Sequence, residues 1–68
     1  MVHLKDTVNG IDVSTICAMD TGRWETCLFF PNGDSEVVRT YADSRDANLG
    51  HETICATLRA LGEAKHWV

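Results

Sequence analysis

Trp24-Glu25-Thr26-Cys27-Leu28-Phe29-Phe30, running into Pro31-Asn32-Gly33-Asp34, is the stretch on which the fold turns. In an extended chain successive side chains alternate, so Trp24, Thr26, Leu28 and Phe30 share one face and Glu25, Cys27 and Phe29 the other. The Pro-Asn-Gly-Asp run then supplies turn chemistry: proline presets φ, and asparagine and glycine tolerate positive φ. Similar punctuation stands upstream at Asn9-Gly10 and Asp20-Thr21-Gly22. Strands are therefore expected over about 2–8, 11–19, 23–30 and 36–41, the first being the weakest. Short connections between sequential strands predict an antiparallel meander.

After Tyr41 the period changes. Ala47, His51, Ile54, Leu58 and Leu61 recur at helical spacing and form one stripe, bordered by Cys55. Asp43 or Ser44 can cap the helix, Asp46 suits its first turn, and Gly62 reads as the stop after its last. The helix is expected over about 44–61, a length of about 27 Å at 1.5 Å per residue. The fold class is α+β: an antiparallel three- to four-stranded β-meander with one C-terminal helix packed on one face. Residues 1–68 form a single domain, with 62–68 as a tail.

One helix covers one face, yet strand 23–30 is apolar on both. Strand 36–41 similarly sets Val37 and Tyr41 opposite Val38. Either the tail residues Trp67 and Val68 fold over the second face, or that face meets a second copy of the chain or a different partner.

A chain of 68 residues is near the size at which a lone core is barely sufficient, and it leaves little room for a deep substrate pocket. Its net charge of −4 disfavours direct contact with nucleic acid or an anionic membrane, and suits a basic protein partner. No leader-like apolar segment follows Met1, and no run reaches the roughly 18 apolar residues of a membrane span. Three cysteines without a secretory context point to reduced thiols and to the bacterial cytoplasm.

The candidate chemistry is sparse. Cys17, Cys27, Cys55 and His51 are soft metal ligands, and His51 and Cys55 sit at i, i+4, but the paired close spacings of structural zinc are missing. A zinc-stapled mini-domain therefore ranks behind core packing of the thiols, with a Cys17–Cys27 disulfide a further alternative. Catalysis by Cys55 would require an activated thiolate on a stripe that faces the sheet. The chain reads as non-enzymatic and free of cofactor or resident metal. At Gly50-His51-Glu52 the missing Cβ of Gly50 allows close approach to the sheet, at Trp24 or Phe29. His51 then bonds a strand carbonyl or hydroxyl in the core, or points to a functional surface. Glu25 would pair with His51 if the face of residues 25, 27 and 29 is the covered one. Trp24, Phe29, Gly50 and His51 are thus structural candidates. The acidic positions Asp20, Glu25, Asp34, Glu36, Asp43 and Asp46 are the candidate partner-binding surface, since carboxylates can occupy a basic groove in place of phosphates. Arg23, Arg39, Arg45 and Arg59 dilute that charge.

Val13-Ser14-Thr15, Trp24-Glu25-Thr26 with Phe29, then Tyr41, Ala47 and Gly50-His51-Glu52 resemble a group of very small phage, prophage and actinobacterial mobile-element proteins. These share a V-S-T strand, an E-T-x-x-F strand and an A-x-x-G-H-E helix start. The resemblance spans about residues 13–55, with a shorter loop after Asp20 and Cys27-Leu28 ahead of the strand's phenylalanine. It implies provenance more than mechanism. Small acidic phage proteins include inhibitors of host machinery such as the anti-CRISPR proteins, which this chain is similar to in size and charge. The expected function is inhibition of a host nucleic-acid-handling or defence complex by covering its basic surface. The alternatives are a homodimeric accessory module or the zinc-stapled domain.

Overall fold

The computed structural model describes residues 3–64. Four strands, β1 (Leu4–Val8), β2 (Ile11–Cys17), β3 (Trp24–Phe29) and β4 (Ser35–Tyr41), precede one helix, α1 (Ser44–Ala64). They form one antiparallel sheet in the order β1-β2-β3-β4, with β1 and β4 at its edges. The expected meander and its single helix are both present. Residue 2 and the tail residues Trp67 and Val68 lie outside the described residues.

Each turn follows from its sequence. Asn9 and Gly10 take φ of 52° and 80°, the two left-handed positions of a tight hairpin whose twist matches that of its strands. Val8 and Ile11 close that hairpin as directly paired residues. The next connection is held by Ala18 N–H donating to the Arg23 carbonyl at 2.7 Å, which ends β2 at Cys17, two residues short of the expected boundary. In the third, Asn32 Oδ1 accepts from Asp34 N–H at 3.0 Å, a side-chain turn of the kind asparagine favours.

Register assigns the faces. Val13 pairs with Leu28, Thr15 with Thr26 and Cys17 with Trp24, and these meet α1. Serine 14, Ile16, Glu25, Cys27 and Phe29 look the other way. Between β3 and β4 the register shifts at Thr26/Cys27: Thr26 pairs with Arg39 but Cys27 with Val37, leaving Val38 as the extra residue. This bulge overturns the simple alternation expected for β4. Val37 points to the open face, while Val38 and Tyr41 both lie on the helix side.

Asp43 caps α1, its Oδ1 accepting the Asp46 N–H at 2.9 Å. The helix does not stop before Gly62. It continues to Ala64, 21 residues in all, because Gly62 serves a different purpose. A Cβ at Gly62 would overlap the Asn9 side chain, including its Cγ and Nδ2. Asn9 Nδ2 donates to the Leu58 carbonyl at 2.8 Å, so the first hairpin is fastened to the helix's last turns. Gly62 makes room for that fastening.

The layer between helix and sheet has two unlike halves. Near the hairpin, Val8, Val13, Leu28 and Cys55 form an apolar cluster with Ile11, Phe30, Ile54 and Leu58 packed against it. Cys55 is thus a core residue, whereas Leu61, expected on the buried stripe, is 57% exposed. Toward the start of the helix the buried groups are Thr15, Thr26, Tyr41, Ala47 and His51. This half is polar.

Candidate functional site

The polar half is one hydrogen-bonded chain crossing the sheet. His51 Nε2 lies 2.7 Å from Asp6 Oδ2, and His51 Nδ1 lies 2.7 Å from Thr15 Oγ1. Thr15 Oγ1 is 2.6 Å from Thr26 Oγ1, which donates to Tyr41 Oη at 3.2 Å. Every strand contributes one member and the helix contributes the imidazole. The Thr15–Thr26 contact exists because those residues are direct cross-strand partners. The Tyr41 contact relies on Gly50, since a Cβ there would overlap Tyr41 Oη, Cε1 and Cζ. Close approach at Gly50 is therefore real, but the ring it admits belongs to Tyr41, not to Trp24 or Phe29.

The direction of the hydrogens follows by counting. Each hydroxyl has one hydrogen. With Thr26 donating to Tyr41, Thr15 must donate to Thr26. Thr15 then has none left for His51, so Nδ1 carries a hydrogen and donates to Thr15. At the far end Nε2 is within hydrogen-bond distance of Asp6 Oδ2. No buried side-chain nitrogen or oxygen among the described residues lacks a partner, as a buried polar network requires.

The order carboxylate, imidazole, hydroxyl is that of a hydrolytic relay. Here, however, Thr15 has 0% of its surface exposed, so a substrate has no path to its oxygen. Cys55 is likewise covered. Its Sγ lies 3.9 Å from Asp6 Oδ2, and burial first, then the Asp6 charge, push the thiol above its ordinary range. A thiol held neutral is a poor nucleophile. The donor atoms of Asp6, His51 and Cys55 nevertheless all lie within 4.8 Å of one another.

Several sequence expectations are redistributed. Glu25 faces away from the helix, opposite Ile16 and Thr40, so it does not meet His51; Asp6 does. Cys17 and Cys27 project from opposite faces, and all three cysteines are free; the four-ligand set with His51 and Cys55 is not assembled. Asp20, Asp43 and Asp46 lie at the end of the sheet marked by Trp24 and Tyr41. Asp34 and Glu36 lie at the other end, and Glu25 on the open face. Asp6 is the residue that sequence reasoning missed. Its only signal was a carboxylate at an alternating position in the weakest strand.

The open face carries the second candidate surface. Ile16, Phe29 and Val37 are exposed there, around half-buried Cys27 and Glu25. Ser14 is sheltered by His3, whose Nε2 lies 2.8 Å from Ser14 Oγ. No helix among the described residues is long and apolar enough to cross a membrane. Comparison with protein-family models, curated proteins and solved structures returned no match.

Proposed function

We infer that this is a non-enzymatic binding protein that blocks a basic, nucleic-acid-handling surface of a host defence complex, in the manner of an anti-CRISPR inhibitor. The observation that carries this reading is the open sheet face. Phe29 is 46% and Val37 51% exposed, and both stand beside Cys27 on a surface that the helix leaves uncovered. Apolar area of this kind supplies binding energy at roughly 25 cal/mol per Å² when it is covered. Carboxylates on the same face, Asp12 and Glu25, and beyond it at Asp20, Asp43 and Asp46, select a basic partner and repel nucleic acid itself. Action in the bacterial cytoplasm accords with the resemblance to phage-borne proteins. A homodimer is the second reading, favoured by the same apolar patch.

The test is performed in cells carrying an active RNA-guided defence system. Expression of the chain is expected to restore plating of a targeted phage. Phe29→Lys and Glu25→Lys should each abolish the rescue while leaving the melting temperature nearly unchanged, because neither side chain faces the helix. Absence of rescue by the parent chain across the systems assayed overturns the reading, as does rescue that survives both substitutions. A light-scattering mass of two chains at micromolar concentration would assign the face to a second copy instead.

A further inference from the structure

We propose that Asp6, His51 and Cys55 form a binding site for a single Zn²⁺ ion, with Asp6 Oδ2, His51 Nε2 and Cys55 Sγ as ligands. The site is independent of the open face, being built between edge strand β1 and the middle of α1. His51 and Cys55 are one helical turn apart and project together toward the sheet, where both are buried. Asp6 reaches them from β1, and its half-exposed side chain, 53% accessible, leaves an entry path from solvent.

The donor set is what selects the metal. One imidazole nitrogen, one thiolate and one carboxylate oxygen is a mixed set that a borderline-soft, tetrahedral ion accepts, whereas Ca²⁺ and Mg²⁺ require oxygen alone. The spacing is close to what such an ion demands. Two bonds of about 2.0 Å at a tetrahedral angle hold nitrogen and oxygen about 3.3 Å apart, and a sulfur bond of about 2.3 Å sets the sulfur–oxygen edge near 3.5 Å. Nε2 and Oδ2 are 2.7 Å apart and Sγ and Oδ2 are 3.9 Å apart. A shift of about half an ångström at Asp6, the exposed member, lengthens the first edge and shortens the second, while Nε2 and Sγ, both on the helix, lie within 4.8 Å of each other. The described residues offer three donors there, so a water would complete the tetrahedral set.

The hydrogen-bond chain behind His51 supports the same ligand assignment. A ligating histidine must offer the lone pair of one nitrogen, and it is oriented by donation from the other. The Thr15–Thr26–Tyr41 chain fixes the hydrogen on Nδ1, which leaves Nε2 as the free position. The ion would sit between Nε2 and Asp6 Oδ2, which already face one another at 2.7 Å. Ligation takes Cys55 as its thiolate, so binding releases the thiol proton and affinity rises with pH. An apolar surround of Val8, Val13 and Leu28 on the thiol's side limits competing water.

Co²⁺ titration of the reduced full chain tests this, because a thiolate on Co²⁺ gives a sulfur-to-metal charge-transfer absorption. One ion per chain with that band is expected, displaced by Zn²⁺ and unchanged in the Cys17→Ala/Cys27→Ala variant. Cys55→Ala should lose the band. Asp6→Asn, which keeps a side-chain oxygen beside His51 and is checked for folding by its melting curve, should lose most of the affinity, and Thr15→Val should weaken it by about 10–100-fold. Zn²⁺ should raise the melting temperature of the parent chain and not that of Asp6→Asn. A folded parent chain without the band, or a band that survives Asp6→Asn unaltered, or one that vanishes with Cys17 and Cys27, overturns the proposal.

Discussion

The backbone of Gly50 lies against the Tyr41 ring so closely that a Cβ at position 50 would overlap Tyr41 Oη, Cε1 and Cζ. Helix and edge strand β4 are held at this spacing by the absence of one carbon. Tyr41 in turn accepts from Thr26, which links the contact to the buried chain ending at Asp6.

Gly50→Ala is therefore expected to destabilise, although alanine is the better helix former by about 1 kcal/mol. The ring must leave Thr26 or the helix must lift, at a cost of about 1–3 kcal/mol for overpacking plus about 1 kcal/mol for the lost hydrogen bond. In a domain of this size a net loss of about 1 kcal/mol lowers Tm by roughly 4–8 °C. Gly62→Ala meets the Asn9 side chain first, and the helix gain there offsets the loss of the bond to the Leu58 carbonyl. Thermal unfolding should show a clear fall for Gly50→Ala and little change for Gly62→Ala. Equal effects would refute the distinction.

The Thr15–Thr26 pair should show strong coupling. Thr15→Val strands the His51 Nδ1 hydrogen, and Thr26→Val removes the acceptor for Thr15, each costing about 1–3 kcal/mol. Once one hydroxyl is gone the other has less to lose, so the double variant should be milder than the sum by 0.5 kcal/mol or more, on the order found for contacting residues. A chemical-denaturation cycle measures this, and additivity within about 0.5 kcal/mol would contradict a connected chain.

Cys55 gives the domain a pH dependence in the alkaline range. Its folded thiol is raised from the ordinary value of 9.0, chiefly by burial. Above that value the unfolded thiol releases its proton while the folded one retains it. The folded state then binds more protons, so stability falls as pH rises until the folded thiol also ionises. Below the ordinary range the contribution is fully present. Urea midpoints for the parent chain should drop between neutral pH and pH above 9.0 by more than those of Cys55→Ala. The same burial means that a thiol reagent at mild pH should modify Cys17 and Cys27 before Cys55.

The local part of the fold was legible because its causes are local. Asn9-Gly10, Asp20-Thr21-Gly22 and Pro31-Asn32-Gly33-Asp34 carry their own turn geometry. The change of period after Tyr41, with Asp43 as cap, separates sheet from helix. The excess of apolar residues on β3 falls on the face of Cys27 and Phe29, which the helix leaves uncovered. His51 was legible as an imidazole bonded to a strand carbonyl or hydroxyl in the core or else turned to a functional surface, and the structure selects the Thr15 hydroxyl; its carboxylate partner was not legible.

What the sequence by itself determined was thus the meander, the helix and the two-sided character of β3, since turn chemistry and periodicity act over a few residues. Tertiary structure alone decided which face α1 covers, that Val38 is the bulged residue, that Gly62 lies inside the helix, and that Asp6 meets His51. These depend on contacts between residues far apart in the chain, 45 positions in the case of Asp6 and His51. Alternation gives every strand two equivalent sides, and only the packing of the helix makes one of them the interior.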